Sequence, residues 1–266
     1  MDKLGIPNEA SASGNLWEMV RRARVTTFIG AGGKTTCLNS LAQEIAQIGE
    51  PVIATTTTKV YPSAFPSLCK NAGEFPFLEK GFPCFWYADI EEESGKWRGI
   101  PVEMLERVIQ EEGRRFFWVI EGDGAREHRL KCWASHEPQI PGATESAVLV
   151  IDGHLWGKTL QEDEIHRPEL CPQLAGQIWG SELAWEYILS SPVFRREYRE
   201  ISWVVLFNVW KDLASDSSQD ILDSALHQLQ HTALRSITKD SFQRPHHLRI
   251  ASGDAKEGRL QWFDLW

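Results

Sequence analysis

An α/β protein, with a mostly parallel sheet covered by helices on both faces, is the fold class this sequence predicts. Two observations carry that expectation. Short β-branched and aromatic runs alternate along the chain with stretches of helical period, and a glycine-rich loop joins one such run to the helix after it.

Taken in order, residues 1–13 read as a polar, poorly ordered lead, and Leu16 to Ala23 as a short helix. Val25 to Ile29 (VTTFI) predicts a buried strand. After the loop, Cys37, Leu38, Leu41, Ala42, Ile45 and Ile48 recur at helical spacing, and Gly49 is placed to end the helix. Pro51 to Ala54 begins a second strand, so strand, loop, helix and strand fit the roughly 30 residues of a right-handed βαβ unit. Prolines at 62, 66, 76 and 83 among aromatic residues predict loops with short helical pieces over 61–83. Phe82 to Ala88 reads as a strand, and Pro101 to Glu112 as a helix with proline in its first turn. Strands are expected at Arg115 to Ile120, Ser146 to Ile151, Ile201 to Phe207, His247 to Ala251 and Leu260 to Phe263. Further helices are expected at Ala175 to Leu189 and Gln219 to Gln230. With no internal repeat or linker, the expectation is one domain over 1–266 with an irregular insertion around 61–100.

Composition narrows the function classes. A formal net charge of -9 repels phosphate backbones, which argues against duplex nucleic acid as a partner. Cys37, Cys69, Cys84, Cys132 and Cys171 are odd in number and contain no CxxC pair, so they read as free thiols of a reducing compartment. The first residues lack the apolar core of a signal peptide, and no apolar run nears the ~20 residues that span a bilayer. The expected location is the cytoplasm, with no membrane partner.

The chemistry centres on Gly30-Ala31-Gly32-Gly33-Lys34-Thr35-Thr36. Glycines let successive backbone N–H groups face an anion, and the start of the next helix adds its own. Lys34 would place charge on the β- and γ-phosphates, Thr35 its hydroxyl on Mg²⁺, and Thr36 a contact to a phosphate further back. This is a P-loop NTPase-like arrangement that expects ATP or GTP with Mg²⁺. Phe28 stands where the full GxxxxGK[ST] pattern has its first glycine, and the shortened form resembles that of Mur-type ligases. Thr55 to Thr58 end the second strand beside the loop, with Thr57 a candidate for the metal and Thr58 and Lys59 for substrate. The strand at 115–120 ends in Glu121-Gly-Asp123, the acidic element that a Mg·NTP site needs. His227 and His231, four apart on a helix, read as an exposed pair, and Cys37 as core packing.

GAGGKTT, TTTTKVYPS, EGDGAR with Lys131, HEPQIP (136–141), SAVLVIDG and IHRPE (165–169) run in the order of the YqeC family over about residues 24–170, and the chain resembles it. The resemblance implies a P-loop protein linked to selenium-dependent molybdenum hydroxylases, as an accessory or a selenium-cofactor biosynthesis factor. It also implies roles for Glu121, Asp123, Arg126, Lys131, His136, Glu137, His166 and Arg167, with Gly122 where the family usually has alanine. Arg167 would neutralise a transferring phosphate, and His136 or His166 would act as acid, base or substrate contact. Partners implied are the nucleotide and a selenium or molybdenum cofactor intermediate or a client hydroxylase. The expected function is NTP hydrolysis or phosphoryl transfer in that maturation. The alternatives are a nucleotide-dependent switch or chaperone for the client, and a Mur-like ligase or kinase on a small substrate. Trp203 to Phe207 followed by Asn208 is similar to the family's later strand-plus-Asn element, but Asn208…Lys211-Asp212 lacks the guanine-reading NKxD spacing.

Overall fold

A computed structural model describes residues 12–62, 67–70, 81–210, 216–237 and 244–266. One 10-stranded sheet forms the centre of the molecule. Its strands are β1 (Ala12–Gly14), β2 (Val25–Gly30), β3 (Val52–Thr56), β4 (Ser67–Lys70), β5 (Cys84–Tyr87), β6 (Phe117–Glu121), β7 (Ser146–Asp152), β8 (Ser202–Asn208), β9 (His247–Asp254) and β10 (Arg259–Asp264). Their spatial order is β1-β10-β9-β8-β7-β2-β6-β3-β5-β4. Neighbours from β9 to β4 run parallel, and β10 and β1 close one edge antiparallel.

Among the described residues, five α-helices, α1 (Leu16–Met19), α2 (Lys34–Gln47), α3 (Val102–Glu112), α4 (Ser181–Ser190) and α5 (Asp216–Ile237), cover both faces. Strand alternation divides β2 between them. Phe28 packs with Leu38, Leu41 and Ile45 of α2, whereas Ile29 joins Trp185 and Ile188 of α4 and Leu229 of α5. Val25, on the same side as Ile29, packs with Leu105 and Ile109 of α3. Both faces are buried, which is why the parallel strands are mostly apolar, with polar residues such as Thr26 and Thr27 buried among them. A fully buried leucine such as Leu41 contributes roughly 2 kcal/mol from area alone.

The expected elements are present, with four differences. Residues 12 and 13, expected in the polar lead, belong to β1 because they pair with β10; residues 1–11 lie outside the described residues. The first helix ends at Met19, since Arg21 and Arg22 take left-handed conformations (φ 58 and 56). Residues 67–70 form β4 rather than a loop, drawn into the sheet by pairing with β5, while 63–66 and 71–80 lie outside the described residues. The helix expected from Ala175 begins only at Ser181. Residues 177–179 instead bond back to 157–160, and Gly176 (φ 79) turns the chain into that pairing.

The free-thiol expectation is corrected for two of the five cysteines. Cys132 and Cys171 form a disulfide between Cα atoms 6.2 Å apart, across a sequence separation of 39. Local pairing brings them together. Leu130–Lys131 and Ile165–His166 form a two-stranded parallel ladder, and Cys132 N donates to His166 O at 2.9 Å. Cys37 is free and, like Cys84, buried, and desolvation pushes the Cys37 thiol up to about 12, which fits a packing residue. Closing a loop of this length stabilises the fold by on the order of 4 kcal/mol in the chain-entropy account. Thiol titration of the unfolded chain should therefore yield two more thiols after reduction than before, with a lower melting temperature for the reduced protein. Equal thiol counts would remove the bond.

Candidate functional site

Register places the site. In the parallel ladders Asp152 lies opposite Asn208, Val150 opposite Gly30, Phe28 opposite Glu121, and Glu121 opposite Thr56. The polar ends of β3, β6, β2, β7 and β8 thus line one carboxyl edge. The chain passes from β2 through α2 to β3 on one side, and later returns to β7 on the other. The loop after β2 therefore opens at a topological switch point, where ligands bind in such sheets.

The loop is shaped for close approach. Gly30, Gly32 and Gly33 take φ values of 95, 87 and 108, which L side chains rarely adopt. A Cβ at Gly32 would lie 2.3 Å from the backbone nitrogen of Asp152. Asn208 donates to Gly32 O at 3.0 Å and accepts from Ala255 N at 3.2 Å, holding the loop against β8 and the turn after β9. No side chain caps α2 at Gly33, so its first-turn N–H groups and helix dipole open toward the cleft.

Charge is concentrated beneath this loop. Asp123 is completely buried and accepts from Gly30 N with both oxygens at 3.1 Å and from Trp133 Nε1 at 2.7 Å. Lys34 Nζ lies 3.3 Å from Asp123 and 3.8 Å from Glu121, and donates to Gly30 O at 2.6 Å. Thr35 donates to Glu121 at 3.0 Å. Burial raises the Glu121 pKa, opposed by Lys34 and Thr35, so this carboxyl gains from any cation brought near it. Lys131, with no exposed surface, lies 3.4 Å from Asp123 and 3.1 Å from Glu137. Glu137 in turn meets Arg167 at 3.1 Å. Lys34, Asp123, Lys131, Glu137 and Arg167 make one chain of alternating charge.

A cleft of about 1020 Å³ joins these groups. Ala31, Gly32, Gly33, Lys34, Thr35, Thr36, Thr58, Lys59, Glu121, Arg126, Glu137, His166 and Arg167 all line it. Asp123 and Lys131 stand behind its wall. Thr57 is turned away, its hydroxyl within hydrogen-bond distance of the carbonyls of Glu121 (3.4 Å) and Gln139 (3.3 Å). Lys59 is paired with Glu91. His136 is exposed and does not line the cleft, and His227 and His231 are exposed on α5. Thr55 and Thr56 are buried and bond to the carbonyls of Trp86 and Glu121.

Sequence reasoning passed over His128, Arg129 and Asp152. Arg129 pairs with the buried Asp152 and with Glu164 at 2.7 Å, and His154 bonds Asp152 at 2.9 Å. The one available signal was that Asp152 ends a strand, as Glu121 does. Arg126, Glu127 and Arg167 line the cleft in left-handed conformations (φ 48, 64 and 61), the kind of strained backbone that gathers at functional sites.

His166 is buried, with its ring 5.4 Å from that of His128. Desolvation first, then Lys131, Arg167 and His128, lower its pKa to about 4, so the ring is neutral at pH 7. Its folded pKa lies below the unfolded value near 6.5, so the folded state binds fewer protons between these values. Stability is full above pH 6.5 and falls as the pH drops toward 4, by at most about 1.4 kcal/mol per unit. In thermal melts at pH 7 and 4.5, His166→Gln should lose less melting temperature than wild type. Identical losses would exclude the effect.

The profile of the YqeC protein family matches residues 26–169, more than half of the chain. A protein of Escherichia coli (strain K12), called "Uncharacterized protein YqeC", is 30% identical over 151 residues. That match covers 55% of this chain and 59% of the relative, so it spans less than two thirds of the relative's length. No solved structure matches the chain significantly. The matched span holds the glycine loop, Glu121 and Asp123, Lys131 and Glu137, and His166 and Arg167, and on this match the chain belongs to the YqeC family.

Proposed function

We propose that this protein is a P-loop protein that binds ATP or GTP with Mg²⁺ and hydrolyses the nucleotide or transfers its γ-phosphate. The observation that carries the reading is the uncapped start of α2 behind three left-handed glycines, with Lys34 and Thr35 facing a buried carboxylate pair. Thr35 and Glu121 fit a hard cation, because a hydroxyl and a carboxylate 3.0 Å apart can both turn oxygen toward it. Mg²⁺ there would neutralise charge developing on the terminal phosphate.

The chain's own groups support this division of roles. Backbone N–H groups of the loop and α2 would hold the phosphates. Lys34 would exchange its bond to Gly30 O for a phosphate oxygen, and Lys131 would remain beside Asp123 to balance that carboxylate. Arg167 and the neutral His166 line the same cleft, where they would face the terminal phosphate and a proton-bearing acceptor. The cellular role in this reading is maturation of a selenium-dependent molybdenum hydroxylase or its cofactor, supported by family resemblance. A nucleotide-dependent switch is favoured as a second reading by the charge chain from Lys34 to Arg167, which would shift when Lys34 moves.

Lys34→Ala should weaken nucleotide binding by on the order of 100-fold in calorimetry. A melt must accompany it, because Glu121 and Asp123 lose a buried partner. Equal affinities of the folded variant and wild type would sink the reading. Thr35→Val, which keeps the shape and removes the hydroxyl, should abolish most of the gain in affinity on adding Mg²⁺ while leaving Mg-free binding intact. An unchanged Mg²⁺ effect would remove Thr35 from the metal site.

A further inference from the structure

The glycine loop, Lys34 and Thr35 line the cleft, and so do two aromatic side chains that the nucleotide reading above does not use, Trp210 and Tyr61. Trp210 lines the cleft and is 41% exposed, unusual for so large an apolar group. It follows β8 by two residues and stands two positions after Asn208, the side chain that holds Gly32. His154 packs against it, ring centroids 4.5 Å apart, and is itself held by the buried Asp152. The indole is therefore braced from the protein side and open toward the cleft.

The two flanks of the loop differ in chemistry. Thr35, Glu121, Lys34 and Asp123 gather on the β6 side and suit the metal-bearing, most highly charged end of a phosphate chain. A chain laid across the loop from that end leads its other end toward β7 and β8, where Gly32 meets Asp152 and Asn208. On that flank the Arg129–Asp152 pair is joined by the exposed aromatic face of Trp210. Tyr61 also lines the cleft, two residues after Lys59, and the Lys96 ammonium already covers its ring at 4.4 Å. Trp210 has no cation over it among the contacts of the described residues.

Resting on the nucleotide reading above, we propose that Trp210 is the stacking platform for the nucleoside base and that His154 and Asp152 hold it in place. A stacking contact accepts any planar base, so the site takes a nucleoside triphosphate with little distinction between bases, adenine and guanine included. Stacking accounts for a preference for nucleotides over inorganic polyphosphate of the same charge.

Calorimetry with ATP, GTP and inorganic tripolyphosphate, each with Mg²⁺, tests this on wild type, Trp210→Ala, Trp210→Phe and Tyr61→Ala. Wild type should bind ATP and GTP on the order of tenfold more tightly than tripolyphosphate. Trp210→Ala should erase that difference with tripolyphosphate affinity unchanged, Trp210→Phe should restore most of it, and Tyr61→Ala should leave it in place. Unchanged ATP affinity in Trp210→Ala, equal weakening of tripolyphosphate, or transfer of the whole loss to Tyr61→Ala would each overturn the platform. Wild type binding tripolyphosphate and ATP equally would overturn the platform alone. Wild type binding neither would overturn the phosphate reading and the platform with it.

Discussion

The carboxylate of Asp123, buried beneath the glycine loop, is the group on which the rest of the site depends. An isolated charge in that position costs several kcal/mol, and only donors on all sides make it tolerable. Gly30 N, Trp133 Nε1, Lys34 and Lys131 supply them. Each donor comes from a different part of the chain, so the carboxylate ties the loop after β2, the start of α2, the short ladder at 130–131 and the segment after it to one point. The glycine loop is held in its open shape partly from below, by this bond, and partly from the side, by Asn208.

That arrangement explains why two lysines serve one aspartate. If Lys34 is to reach an anion above the loop, Asp123 must not be left alone, and Lys131 is already 3.4 Å away. The partner that Lys131 shares, Glu137, also holds Arg167. Movement of a single side chain at the loop is thereby felt at residues 165–167, some forty positions beyond Asp123 in sequence. The disulfide between Cys132 and Cys171 fastens the same segment from the other side, one residue from Lys131. The segment carrying His166 and Arg167 is thus coupled to the loop by charge and anchored to the fold by a covalent bond.

Much of this was legible in the residues. Buried parallel strands are mostly apolar on both faces, so VTTFI, FFWVI and SAVLVI announce themselves without a partner, and the glycine run between strand and helix marks the turn between them. Elements whose formation depends on a neighbour were not legible in the same way. β1 and β4 are edge strands with no apolar period of their own, and exist because β10 and β5 offer them hydrogen bonds. The start of α4 was misjudged because residues 177–179 find backbone partners at 157–160, and a periodic pattern cannot record a competing pairing.

For the site, the local sequence determined which residues shape the loop: Gly30, Gly32 and Gly33 by their conformational freedom, Lys34 and Thr35 by adjacency at a helix start. It also placed Glu121 and Asp123 at the end of a strand. Tertiary structure alone decided which side chains face the cleft. Thr57 turned to backbone carbonyls and His136 to solvent, while Arg129, Asp152 and Trp210 came in from three other segments of the chain. It also decided that Cys132 and Cys171 meet, through a two-residue ladder that no spacing rule anticipates. The physical reason is the same in each case. Backbone preference and hydrophobic period act over a few residues and can be read one segment at a time, whereas burial, charge pairing and register are properties of groups that only the folded chain brings within reach.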